Sequence, residues 1–482
     1  MPVTLCCNQQ FKTQRDLYQF LANCQQVSCE KKQAQIISIS LEIDAVDPLT
    51  ILHEMAELGQ LSFYFEKRDL SGKTSFSDDK VAIAAINSVA QLQTDGSPRF
   101  EQVKAFIENT LANTIIAGVS DFPFSGPHFF CSFSFSDRLS NQADGGFAAA
   151  TVFLPSWQVS YWKNRSAIVA NVAIEAQTCL TSTVEMLWKN LQKINAVQYE
   201  LINPILHTSD WLKQYPVTGT ETFQNVVRSA LKSIRAEHFD KIVLAHAVDV
   251  VSPLPFHRTF SLNNLRTHYP DCYIFSTTNA QGQHFVGASP ERLVSVKNHQ
   301  LLTDALAGSA PRGKTTCDDA RLANILLHSL KELHEHQVVI DFIIHQLAQL
   351  GLEPSCSPLR LLQLSNIQHL HTPIRAIVPS EIHLLDVVAA LHPTPAVAGR
   401  PREITCEHIH RYEPFERSLY AAPIGWVNHR GEGEFAVGIR SALIDGCTAR
   451  LFAGAGIVAG SAPERELAEV QLKLQALLAA LV

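Results

Sequence analysis

Strand-like runs follow one another along this chain without the regular intervening helices that a parallel sheet demands. IISISLEID (Ile36 to Asp44) alternates in part, LSFYFEKRD carries the β-favouring run Phe63-Tyr64-Phe65, and PHFFCSFSFSD from Pro127 alternates again. TVFLPSWQVSY and SAIVANVAIE predict further strands, and KIVLAHAVDVV from Lys241 another. Parallel neighbours need a crossover of a dozen or more residues, usually a helix. Here the helical patterns come irregularly: one over 100–115, a polar one before the connector that leads to Pro216, and the amphipathic TFQNVVRSALKSIRAEH after it. Residues 136–146 (SDRLSNQADGG) read as a turn or loop. Consecutive strands with scattered helices predict an α+β or mixed-sheet fold.

No repeat, low-complexity tract or Gly/Ser linker interrupts the 482 residues, which favours one large unit. A net charge of −7, with no Lys/Arg stripe interleaved with aromatics, gives no reason to expect nucleic acid. The 11 cysteines are scattered without a C-x-x-C pair, so neither a zinc ribbon nor a thioredoxin motif is supported. The start MPVTLCCNQQFK lacks a signal peptide's basic and apolar regions. No apolar run approaches the roughly 18 residues of a membrane helix. A cytoplasmic protein off the membrane is the expectation.

The residues that could carry chemistry concentrate after position 240. Lys241 opens an apolar strand, where a lysine either snorkels at a sheet edge or is desolvated into a base. FVGASPERLV ends in a Pro-anchored turn that presents Glu291 and Arg292, as a surface ion pair or as functional groups. In LLTDALAGSAPRG, the small residues Ala305 to Gly308 suit a loop that approaches a ligand closely.

RLANILLHSLKELHEHQVVIDFIIHQLAQL reads as one long helix, with Glu335 on the face of Val338, Val339 and Phe342. A carboxylate there needs a cation, a hydrogen-bond partner or a proton. His334 and His336, two apart on a helix, point roughly 200° apart and cannot share one metal. His369 and His371 follow in NIQHLHTPI, and LHPTPAVAGRPRE is a Pro/Gly-rich loop. GEFAVGIRSALI reads as a strand whose Arg440 is either buried in a pair or a carboxylate receptor.

Gly454, Gly456 and Gly460 have G-x-G-x-x-x-G spacing with no βαβ unit after them, so a dinucleotide loop is excluded. A loop whose amides cradle a carboxylate fits. In the last helix Glu466, Glu469 and Lys473 share a stripe opposite Leu467, Val470, Leu474 and Leu478, either a solvated face or part of a site. Carboxylates gathered this way suit a hard cation such as magnesium.

Taken in order, KIVLA, GASPERL, ALAGS, the helix around Glu335, IQHL, LHPTPAVAG, EPFERSLYAAPIGW, FAVGIRSA and FAGAGIVAGSAPERELAEVQLK closely resemble the chorismate-binding enzymes, the isochorismate, salicylate, anthranilate and aminodeoxychorismate synthases. These blocks span about 240 to 473; FYF, HFFCSFSF and FLPSW resemble the family's weaker N-terminal blocks, which extends the likeness to most of the chain after about residue 35. The resemblance implies one α+β unit with two layered, mostly antiparallel sheets and helices outside. Residues 1–210 would contribute to the same fold, and 215–482 would be the catalytic region.

Members that add water resemble this chain in having lysine at position 241, whereas ammonia-using anthranilate synthases typically lack it. Aminodeoxychorismate synthases typically carry a nucleophilic lysine where Ala307 stands. The implied activity is therefore an isochorismate synthase, feeding menaquinone or phylloquinone (or siderophore and salicylate) biosynthesis, with salicylate synthase and a non-catalytic chorismate-binding homologue as alternatives. In the implied site Lys241 is the base and Glu291 the acid. Magnesium is held by Glu335 and Glu469, with Glu466 through water. Arg440 and the amides of Gly454 and Gly456 take the enolpyruvyl carboxylate, and Lys473, His369, Tyr420 and Ala307-Gly308-Ser309 match other substrate contacts. The implied protein is a monomer or homodimer that needs no glutamine amidotransferase subunit. It departs from the family in Ser309 (often Thr), Phe452 (often Tyr), Ala422 (often Gly) and His246 (often Arg).

Overall fold

Alternation in the N-terminal strands is masked because both of their faces are covered. In the strand Ser62–Arg68, Phe63 and Phe65 point into one apolar cluster and Tyr64 into another. The cluster holding Phe63 and Phe65 also contains Phe275 and Phe285 of the same sheet, and Phe130, Phe153, Ile424 and Trp426 of a second sheet. The rings of Phe63 and Phe130 lie 5.0 Å apart, so the two sheets pack face to face. Full burial of each such ring contributes about 1.5–3 kcal/mol. The structure, a computed structural model, describes residues 6–7, 11, 13–68, 80–119, 122–137, 146–197, 201, 212–217, 219–364 and 367–481. Most of the turn expected over 136–146 lies outside them.

Among the described residues the larger sheet has 14 strands and the smaller 10. All ladders are antiparallel except the two that Thr114–Gly118 makes with Cys6–Cys7 and Gln35–Ile43. This is the layered α+β arrangement that the resemblance implies. Both sheets draw strands from both halves: Ser62–Arg68 pairs with Tyr273–Thr278, and His128–Phe133 with Pro423–Asn428. Helices cover the outer faces. Gln14–Lys31 packs on Leu180–Ala196 and the Gln35–Ile43 strand, and Arg99–Ala112 packs with Leu384–Leu391 over the smaller sheet. None of the described helices is long and apolar enough to cross a membrane.

Four local readings are corrected. The single helix read through Glu335 is two, Thr316–His328 and Leu330–Gln349. Ser329 between them is extended, and its hydroxyl accepts from Glu332 N–H, so a side-chain cap starts the second helix. Ala305 to Gly308 is not a loop but part of the strand Gln300–Pro311, with a register shift between Ala307 and Ser309 where Gly308 adopts φ +79°. Gly454 and Gly456 likewise lie within a strand, Thr448–Val458, which pairs with Lys241–Val251 along its whole length. GEFAVGIRSALI breaks into Gly433–Val437 and Ser441–Asp445, and Arg440 stands in the break at φ 49°. That left-handed backbone costs roughly 1–2 kcal/mol for a non-glycine residue. It takes Arg440 out of the strand and onto a cavity wall.

Candidate active site

A cavity of ≈ 110 Å³ lies where the ends of the two sheets meet the helices Leu330–Gln349 and Pro463–Leu481. The larger sheet supplies Val243, Phe452, Gly454 and Gly456 to its wall, and the smaller Leu306, Ala307, Gly308, Ser309 and His369. Glu291, Glu335, Tyr420, Arg440, Glu469 and Lys473 complete it, with Ala396 and Val397 from the Pro-rich loop. Of the residues that the family resemblance puts in the site, Lys241 and Glu466 stand off the wall and the others lie on it, whereas Arg292, His334, His336, His371 and Gly460 are not wall residues.

Lys241 begins a strand bonded on both sides, to Val458 and to Arg400, and its side chain is only 1% exposed. Its Nζ lies 2.7 Å from Glu335 Oε1, so the buried ammonium is ion-paired, not snorkelling. Burial pushes the Glu335 carboxyl up, but Lys241, with Lys331 and Lys473, outweighs that and holds it below its ordinary value. The pair sits behind Gly456: a Cβ there would fall 2.6 Å from Glu335 Oε1 and 3.4 Å from Lys241 Cε. Gly456 thus provides room, and Gly454 does the same for the Tyr420 hydroxyl, 2.9 Å from where its Cβ would be.

The peptide groups of these glycines also face the cavity side. Ala245 N–H donates to Glu413, and the Val243 carbonyl accepts from Arg417, so both point away from the strand opposite. Their Cα partners are Gly454 and Gly456, which therefore occupy the non-hydrogen-bonded positions of the ladder. Gly454 accordingly offers its carbonyl to Lys473 Nζ at 2.9 Å.

Glu291 leaves the strand His284–Ser289 at Pro290 and is held by its main chain: its N–H donates to Ser289 Oγ and its carbonyl accepts from Val437 N–H. Burial pushes its carboxyl up to about 8, with Lys241 opposing and Asp304 adding to the rise. At neutral pH it is a carboxylic acid with a proton to give.

His369 receives a hydrogen bond from Arg440 Nη2 at 3.2 Å on Nε2, and its Nδ1 lies 2.8 Å from Ser309 Oγ. An arginine only donates, so Nε2 is the acceptor and the ring proton is on Nδ1, directed at Ser309. Burial, then Arg440 and Lys473, hold this histidine well below its ordinary pKa, so it is neutral. The Ser309 hydroxyl, already accepting, keeps its own proton for another partner.

Glu469 pairs with Lys473 at 2.7 Å, and Glu466 lies 3.5 Å from Lys331. Glu466 is 4% exposed and is pushed up first by burial, against the pull of Lys331. Glu332 was missed in the sequence although it precedes Glu335 by three positions, which puts it on the same helix face. Its Oε2 accepts from Ser309 N–H at 3.1 Å, and burial, with Glu335 beside it, raises its carboxyl. These four groups offer oxygen only, the donor chemistry of a hard divalent cation. Among the described residues no three metal-binding side chains converge closely enough to form a ready coordination sphere. Glu335 and Glu469 are instead turned to Lys241 and Lys473. His336 is buried and bonds Thr372 Oγ1 at 2.9 Å.

The departures are accommodated locally. Phe452 stacks on Tyr420 with centroids 5.1 Å apart and planes at 17°. Ala422 is not among the residues with positive φ, so its backbone does not require glycine. His246 packs 5.5 Å from the Phe223 ring, and burial lowers its pKa.

Known proteins match most of the chain. The family described as "Chorismate binding enzyme" matches residues 19–482. The isochorismate synthase MenF of Bacillus subtilis is 30% identical over 475 residues, 94% of either chain. The salicylate biosynthesis isochorismate synthase of Pseudomonas aeruginosa is 31% identical over 455 residues, 92% of this chain and 90% of that one. Among solved structures, MenF, the menaquinone-specific isochorismate synthase from Escherichia coli, superposes with a TM-score of 0.75 at 23% identity, over 96% of this chain and 99% of that one. Anthranilate synthase component I from Streptococcus pneumoniae superposes with a TM-score of 0.63 at 20% identity, over 85% and 95%. At those identities the two structures speak to the fold.

Proposed function

Because the chain belongs to the chorismate-binding enzyme family, we propose that it is an isochorismate synthase, converting chorismate to isochorismate. Water adds at C2 with loss of the C4 hydroxyl. The observation that carries this reading is a buried lysine beside a cavity whose own acid, Glu291, keeps its proton up to about pH 8. Ala307 places no amine where amine-transferring relatives would need one, which favours water as the nucleophile. The two isochorismate synthases that match over nine-tenths or more of their length support the same reaction.

In the proposed reaction Lys241, once it has parted from Glu335 and lost its proton, takes a proton from the attacking water. Glu291 gives its proton to the C4 hydroxyl, which leaves as water while the ring double bonds shift. One water enters and one departs, so the step is an isomerisation. The Arg440 guanidinium and the outward amides of Gly454 and Gly456 suit the enolpyruvyl carboxylate. Lys473 adds a positive charge at the same wall, and Tyr420 and Phe452 present a flat apolar surface to the ring. The Ser309 hydroxyl, oriented by His369, donates to a substrate oxygen.

Glu335 and Glu469, with Glu466 through water and Glu332 at hand, would hold magnesium. When bound, the ion supplies positive charge to the ring carboxylate. The chain covers 94% of the Bacillus MenF and 90% of the Pseudomonas salicylate-biosynthesis enzyme, so its length is compatible with menaquinone-type metabolism and with salicylate supply alike. The reaction in H₂¹⁸O tests the chemistry: isochorismate should carry one ¹⁸O, on C2. Unlabelled product would exclude water attack.

A further inference from the structure

The motif EPFERSLY contributes Tyr420 to the cavity, but its Glu413 and Arg417 have no part in the reaction described above. Both are buried, with side chains 3% exposed. Arg417 Nε donates to Glu413 Oε2 at 2.8 Å. Taking two charges out of water is costly, and an apolar pair of the same volume often serves stability as well. What apolar side chains cannot do is bond backbone, and the side chains of this pair, carried on the segment that leads into Tyr420, bond the backbone of two other segments that wall the cavity.

Arg417 Nη2 donates to the Val243 carbonyl and Nη1 to the Val397 carbonyl, each at 2.8 Å. Glu413 Oε1 accepts from Ala245 N–H at 2.7 Å. The Arg417 carbonyl accepts from Tyr420 N–H at 2.8 Å. Val243, Val397 and Tyr420 are all wall residues.

The place where the pair acts is also distinctive. The outer edge of the Lys241–Val251 strand is covered by Gly399–Arg400 at residues 241–242 and by Lys213–Pro216 at 248–251. Between these ladders Val243 and Ala245 turn peptide groups outward, and among the described residues no strand receives them. Val243 N–H goes to the Ala398 carbonyl; the Glu413–Arg417 pair takes the Val243 carbonyl and the Ala245 N–H.

We infer that Glu413 and Arg417 are positioning residues: an ion pair standing in for the missing length of strand. It fixes the Lys241 strand, the Val397 loop and the Tyr420 turn relative to one another. The consequence for turnover rests on the isochorismate synthase reading; the consequence for backbone order does not.

The test is Arg417→Lys, which keeps the charge but has one ammonium in place of a fork, with Glu413→Gln as the second variant. Hydrogen exchange should quicken in peptides covering 242–247 and 395–399 and stay as in the parent elsewhere. With chorismate and magnesium, kcat should fall about tenfold or more, since small misplacements of reacting groups are expensive. KM should stay within about threefold, because Arg440 and Lys473 are untouched.

Unchanged exchange in those two peptides, or unchanged kcat, would overturn the inference. So would faster exchange everywhere or failure of both variants to fold, which would make the pair a general structural element. If the parent protein converts no chorismate, the reading of function fails, and the exchange result alone decides the strut.

Discussion

Lys241 is an ordinary strand-end lysine when only its neighbours in sequence are considered. Its surroundings become visible when a distant helix brings Glu335 to 2.7 Å. The local pattern carries no trace of that contact, which is why the residues alone left snorkelling and catalysis both open. Glu291 is similar, since no feature of GASPERL reveals the burial that pushes its carboxyl to about 8. Replacing Lys241 with alanine should lower kcat by roughly 10²–10⁴-fold, while calorimetry still detects chorismate binding; wild-type turnover would remove the base assignment. Glu291 has a raised pKa and must be protonated to act. Its contribution should therefore be complete below about pH 8 and lost above it. A kcat–pH profile should show that alkaline limb in the parent, and a Glu291→Gln variant with residual activity should lack it. Persistence of the limb in the variant would assign it elsewhere.

At the scale of elements, hydrophobic periodicity marks helices such as Arg99–Ala112 and Thr220–Arg235 and strands such as Gln35–Ile43 and Ser62–Arg68, but passes over others, among them the helices Gln14–Lys31 and Arg258–His268. Where an apolar pattern runs on unbroken, it predicts one unbroken element. Ser329 interrupts such a pattern by capping a new helix, and Arg440 interrupts another by taking a left-handed backbone. Gly454 and Gly456 illustrate the reverse: glycines suggested a loop, yet here they serve a strand that must pass close to Tyr420 and Glu335. Gly456→Ala should therefore fold but force Glu335 aside, costing about tenfold or more in kcat/KM, as measured by steady-state kinetics beside an unchanged circular dichroism spectrum. Parent-like kinetics would show that the strand yields to the methyl group. Glu335→Gln should weaken the apparent magnesium affinity by about tenfold or more in titrations of the protein with the ion. An unaltered titration would take Glu335 out of the metal site.

At the scale of the whole molecule, the absence of any linker indicated one unit, and consecutive strands indicated α+β. The sequence could not supply the pairing between strands far apart in the chain, such as Ser62–Arg68 with Tyr273–Thr278. Pairing over such distances depends on the packed core, and covered faces erase the alternation that would have marked it. The cavity is assembled from both sheets, so its geometry depends on their packing. Phe130→Ala, in the layer between them, should cost about 3–5 kcal/mol, seen as a lower denaturant midpoint at unchanged slope; an unchanged midpoint would contradict the packing described.

The ordered motifs made the family legible, whereas the separation of Lys241 from the cavity wall and the Glu413–Arg417 strut required coordinates. The central claim concerns the product. Incubation of the protein with chorismate and Mg²⁺, followed by chromatographic separation, should show isochorismate accumulating at the expense of chorismate. Salicylate and pyruvate as the main products, or chorismate bound but unconverted, would contradict it.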